Sequence, residues 1–108
     1  MARVLSIATD LMLASRVDAA LTAAGHHVVR AASVEEAPLD EVDLVVADLD
    51  VASGEALAAL DPPVLGYYSH VDVETRKAAE AAGVDLVVPR SRMARELPEL
   101  AERLLGAG

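Results

Sequence analysis

The run Asp43-Leu44-Val45-Val46-Ala47-Asp48-Leu49-Asp50 decides the fold of this chain. Apolar residues follow one another without a break and then give way to acids. A half-exposed strand would alternate apolar and polar residues. An unbroken run marks a strand covered on both faces, as in parallel sheets. Four more runs share this character: Arg3-Val4-Leu5-Ser6-Ile7, Val28-Val29, Val64-Leu65-Gly66-Tyr67-Tyr68 and Asp85-Leu86-Val87-Val88. Alanine- and glutamate-rich stretches of helical character separate them. Five strand–helix units in 108 residues predict a single domain, 1–108, of doubly wound α/β architecture. Its form is a three-layer sandwich with helices on both faces of a parallel sheet.

The helices can be placed from spacing and caps. In the first, Leu13, Val17, Leu21 and Ala24 recur on one face, with Asp10 as N-cap and Gly25 past the end. Ser33-Val34-Glu35-Glu36 reads as a capping box opening a second helix, which Pro38 limits to a turn or two. A short third helix spans about Ser53 to Leu60. The fourth runs from about Asp72 to Ala82 and ends at Gly83. Its inner face is mostly alanine (Ala78, Ala81, Ala82), so it is expected to be held weakly. The last carries Leu97, Leu100, Leu104 and Leu105, with Pro98 expected in or near its first turn, where proline costs least.

Composition narrows the function. With 9 Lys+Arg against 18 Asp+Glu the net charge is −9, which argues against nucleic acid and anionic membrane surfaces as partners. No apolar run approaches the roughly 20 residues of a membrane span, and the opening residues lack a signal-peptide pattern, so a cytoplasmic location is expected. There is no cysteine, which excludes disulfides, thiolate metal sites and cysteine nucleophiles. The aromatic residues are Tyr67 and Tyr68, too few for base stacking. His26 and His27 are neighbours at a strand start, point to opposite faces, and read as structural.

Open α/β sheets bind ligands beyond the carboxyl ends of their strands. Ala8, Thr9 and Asp10 stand there after the first strand, Asp48 and Asp50 after the third, Ser69, His70 and Asp72 after the fourth, and Arg90, Ser91 and Arg92 after the fifth. With Asp43 to Leu49, Pro63 to Leu65 followed by Ser69 to Asp72, and Ala81 to Arg90, this order resembles the receiver domain of bacterial response regulators. The resemblance covers all five units. It implies a flavodoxin-like (βα)5 fold of sheet order 2-1-3-4-5, with Asp48 in the place of the phosphoacceptor aspartate.

The same resemblance exposes departures. Receivers set two acids after the first strand to hold Mg²⁺; here those places read Ala8 and Thr9. The switch Ser/Thr falls on Tyr68, the switch aromatic on Val87, the lysine on Arg90 and the proline after it on Ser91. Phosphoryl transfer to a carboxylate needs a cation across the phosphate oxygens. Mg²⁺ usually takes one or two carboxylates, and Asp48 with Thr9 is a poor site for it. A guanidinium at residue 90 can instead pair with Asp48 and hold it closed. The chain thus reads as a degenerate receiver with neither metal nor cofactor.

Other readings of these residues stay open. Asp48 is a phosphoacceptor or a remnant carboxylate paired with Arg90. Asp10 is a helix cap or a metal ligand. His70 reads as a solvent-facing loop residue or a sensor of pH or ligand. Arg90, Ser91 and Arg92 at the start of the last helix could bind an anion or neutralise Asp10, Asp48 and Asp50. Tyr68 could fill the space of a phosphoryl group, or both tyrosines are core aromatics. Ser69 and His70 near Asp48 lack the Gly-x-Ser-x-Gly elbow and a defined oxyanion hole, so no enzyme is expected. Dinucleotide, flavodoxin, cobalamin and P-loop signatures are absent from the first loop.

The expected function is signalling by protein contact. The partner is a kinase, an output protein or a second copy, met through the face of the fourth helix, fifth strand and fifth helix. A working regulator phosphorylated on Asp48 and a small-anion binding module using Asp10, His70, Arg90 and Arg92 are the alternatives.

Overall fold

The computed structural model describes residues 2–69 and 73–106. Five strands, β1 (Arg3–Ile7), β2 (His27–Ala31), β3 (Leu44–Asp48), β4 (Val64–Tyr68) and β5 (Leu86–Pro89), form one parallel sheet in the order β2-β1-β3-β4-β5. The expected sheet order is therefore found. β3 and β4 are buried along their whole length, as their unbroken apolar runs require. Four helices cover the sheet: α1 (Leu11–Ala23), α2 (Gly54–Ala58), α3 (Val73–Ala82) and α4 (Arg90–Gly106).

Two cores result. Leu13, Val17 and Leu21 of α1 and Met93, Leu97, Leu100 and Ala101 of α4 close over Val4, Val46, Leu65, Tyr67 and Val88. On the opposite face Leu57 and Ala79 close over Leu5, Ile7, Val45, Val64 and Tyr68. Ala24 is the exposed C-cap of α1 rather than part of its inner face. Gly25 and Gly83 take positive φ, +93° and +103°, and end α1 and α3 where expected.

Three expectations fail. No helix joins β2 to β3. The Ser33 hydroxyl does accept the Glu36 amide at 3.3 Å, so the cap forms, but Pro38 leaves no room for the turns that would repay nucleation. Val34, Ala37 and Val42 still pack from this connection onto the α2–α3 core. Pro98 sits inside α4, not in its first turn, because the helix starts directly at Arg90. It robs the Ala94 carbonyl of a donor, and Ala94 is exposed, so water can replace it. In α3 the buried alanine is Ala79, while Ala78 and Ala81 face out. Ala79 packs so close to α2 that a Cβ on Gly54 would lie 2.7 Å from its Cα.

At the amino edge of the sheet His26 is buried. Its Nδ1 accepts the Ala2 amide at 3.1 Å, so the proton resides on Nε2, which donates to Glu102 at 3.2 Å. This fits the structural reading of His26. No helix among the described residues is long and apolar enough to cross a membrane.

Candidate functional site

The sheet order reverses direction between β1 and β3, which opens a crevice at their carboxyl ends. Asp48, the last residue of β3, stands there almost wholly buried. One carboxylate oxygen accepts the Asp50 amide at 2.9 Å, and the other faces the Arg90 guanidinium at 3.6 Å. The Asp48 carbonyl takes the Val51 and Ala52 amides at 3.0 Å each, which fixes the turn after the strand. Burial raises the Asp48 pKa above the ordinary carboxylate value, as do Asp50 and Asp10. The Asp50 amide and Arg90 oppose that rise without cancelling it.

The remaining acids each have their own occupation. Asp10 caps α1, its carboxylate accepting Met12 and Leu13 amides at 3.0 and 3.2 Å. Asp50 accepts the Ser69 hydroxyl at 3.1 Å. The structure thus draws Asp10, Asp48, Asp50, Ser69 and Arg90 into one crevice. Arg92 turns away along α4 and pairs with Glu96 at 3.4 Å. Ser91 is exposed on the first turn of α4. Val87 is half-buried against the α2–α3 core. His70 and Asp72 lie outside the described residues.

Tyr67, not Tyr68, shares the Asp48 face of the sheet, because register pairs it with Asp48. Its side chain is fully buried, yet its hydroxyl has no partner among the described residues. Burial raises its pKa, reinforced by Asp48 and eased by Arg90. Tyr68 packs under α2 and α3 instead. The reading of both tyrosines as core aromatics is the one found, though which of them shares the Asp48 face depends on strand register. Arg16 escaped the sequence reading, since its place beside Arg90 in one cavity lining depends on how α1 packs against α4.

The crevice does not suit Mg²⁺. Ala8 offers no oxygen side chain, one Asp10 oxygen is held by two helix amides, and Arg90 faces the Asp48 oxygen that the Asp50 amide does not hold. Among the described residues no group of three His, Cys, Asp or Glu side chains could hold a metal ion.

No family model and no curated protein matches the sequence. Solved structures do. A response regulator receiver domain protein from Clostridium thermocellum superposes with a TM-score of 0.85 at 16% identity, over 99% of this chain and 96% of the other. A structure described as a putative response regulator from Chloroflexus aurantiacus gives 0.84 at 23%, over 97% and 98%. The ChxR receiver domain from Chlamydia trachomatis gives 0.74 at 18%, over 99% and 98%. The chain has the fold of response regulator receiver domains.

Proposed function

We propose that this chain, built on a receiver fold, is a degenerate receiver that signals by protein contact without being phosphorylated. The observation that carries the reading is the Arg90 guanidinium 3.6 Å from the one Asp48 oxygen that no amide holds. Under this reading the guanidinium, which unlike a lysine can pair with a carboxylate through two nitrogens, holds that oxygen closed, and Ala8 and Thr9 supply no carboxylate for a metal. The pair is buried on the aspartate side, where an ion pair is least screened.

Intact mass after incubation with acetyl phosphate and Mg²⁺ tests this. The expected spectrum shows little or no gain of a phosphoryl group. A stoichiometric gain, abolished by Asp48→Asn, overturns the reading in favour of a working regulator. The contact surface under this reading is the face of α3, β5 and α4, a partner protein or a second copy being the occupant. Arg76 and Arg95 stand exposed there and pair with Glu80 and Glu96 on their own helices. Arg76→Glu or Arg95→Glu should weaken self-association or partner capture at unchanged folding.

A further inference from the structure

Between α1 and α4, beside the crevice, lies a cavity of about 500 Å³. Leu13 and Arg16 line it from α1, Ser69 from the end of β4, and Arg90, Ser91 and Ala94 from α4. Its walls therefore join an apolar surface to two guanidinium groups and two hydroxyls. The neighbouring acids have partners of their own: Asp10 holds the α1 amides through one oxygen, Asp48 has Arg90 and the Asp50 amide, and Asp50 has the Ser69 hydroxyl on one oxygen. Arg16 has no ion pair among the described residues.

One donor of the lining is idle as well: Arg90 Nε is buried and has no hydrogen-bond partner among the described residues. The Tyr67 hydroxyl, also buried and without a partner among the described residues, belongs to the same edge of the sheet, since register sets Tyr67 beside Asp48, but it is not part of the lining. A buried donor without an acceptor is costly, and native proteins keep few of them. An idle guanidinium nitrogen and the unpaired Arg16 on a partly apolar cavity, at the amino end of a 17-residue helix, call for an acceptor with an apolar body.

We propose that this cavity binds a small organic anion, its ring or alkyl body against Leu13 and Ala94 and its acidic head toward Arg16, Arg90 Nε and Ser91. The site goes beyond the protein-contact reading and does not depend on it. Phosphorylation state is read by mass, and occupancy of this cavity by a different signal.

The test titrates the ¹⁵N-labelled chain with 2-naphthoate, and in parallel with naphthalene-2-carboxamide, the same body without the charge. Saturable amide shifts are expected at Leu13, Arg16, Ser91 and Ala94, with the carboxamide at least about tenfold weaker, the usual worth of a charged hydrogen bond. Arg16→Gln should erase the preference for the acid, and Ala94→Trp, at an exposed position, should fill the cavity and abolish both responses. Arg103→Gln, exposed in the last turn of α4, should change neither. The proposal is overturned if no saturable shift occurs at these amides, if acid and carboxamide respond alike, or if Arg16→Gln keeps the preference.

Discussion

Asp48 is a buried carboxylate that its surroundings do not fully accommodate. Its pKa is raised, first by loss of water and then by Asp50 and Asp10, even after the Asp50 amide and Arg90 have drawn it down. A carboxyl whose folded pKa exceeds its unfolded one subtracts stability while ionised. That penalty is complete above the folded pKa and vanishes as pH falls below the ordinary aspartate value near about 4. Asp48→Asn keeps an acceptor for the Asp50 amide and removes the charge. Its thermal midpoint should exceed that of the parent by a few degrees at neutral pH, and the two should converge in acid. A midpoint that falls at neutral pH would mean that the Arg90 pair outweighs burial. The pairing of Arg90 with Asp48 could be read from sequence, since the crevice gathers acids and Arg90 is the cation at its end. The place of Tyr67 could not, because two adjacent tyrosines exchange faces with a one-residue shift of register.

Among the elements, the helices depart furthest from expectation while the strands hold. β1 and β4 have the expected limits, and the other strands differ by a few residues at their ends. Unbroken apolar runs bounded by polar residues leave little freedom. The connection from β2 to β3 carries a cap and a proline five residues apart, and sequence alone does not say whether the turn between them propagates. Pro98 misled for a related reason: its cost inside a helix depends on whether the deprived carbonyl meets water. α2 and α3 meet at Gly54 and Ala79 with no space for a methyl group. Gly54→Ala should therefore push α3 outward and cost about 1–3 kcal/mol in urea unfolding, typical of overpacking. Gly106→Ala, where an added Cβ meets nothing, is the control and should leave the midpoint unchanged. Equal stability of both variants would show that α3 shifts freely.

At the scale of the whole molecule, the sheet order, the two-faced layering and the gathering of acids at one edge were legible, because each follows from strand character and chain order. Which helix side chains meet across α1 and α4 was not, since it depends on helix phase and crossing, and the cavity arises there. At the opposite edge, a single imidazole ring touches both Ala2 and Glu102. The first strand and the last helical turn are thus neighbours in space although they lie a hundred residues apart in the chain. A short bridge from the last helical turn back to Ala2 would close a ring, while the helix-free stretch 32–43 offers a place to cut it open again. A permutant with joined ends, a short Gly-Ser bridge and new termini between Asp40 and Glu41 should fold to the same far-ultraviolet spectrum and unfold cooperatively. Loss of cooperativity would show that this stretch must stay intact. The same closeness of Ala2 and Glu102 would let the layered unit be spliced into a surface loop of another protein, with entry and exit on one side and its crevice facing away from the host.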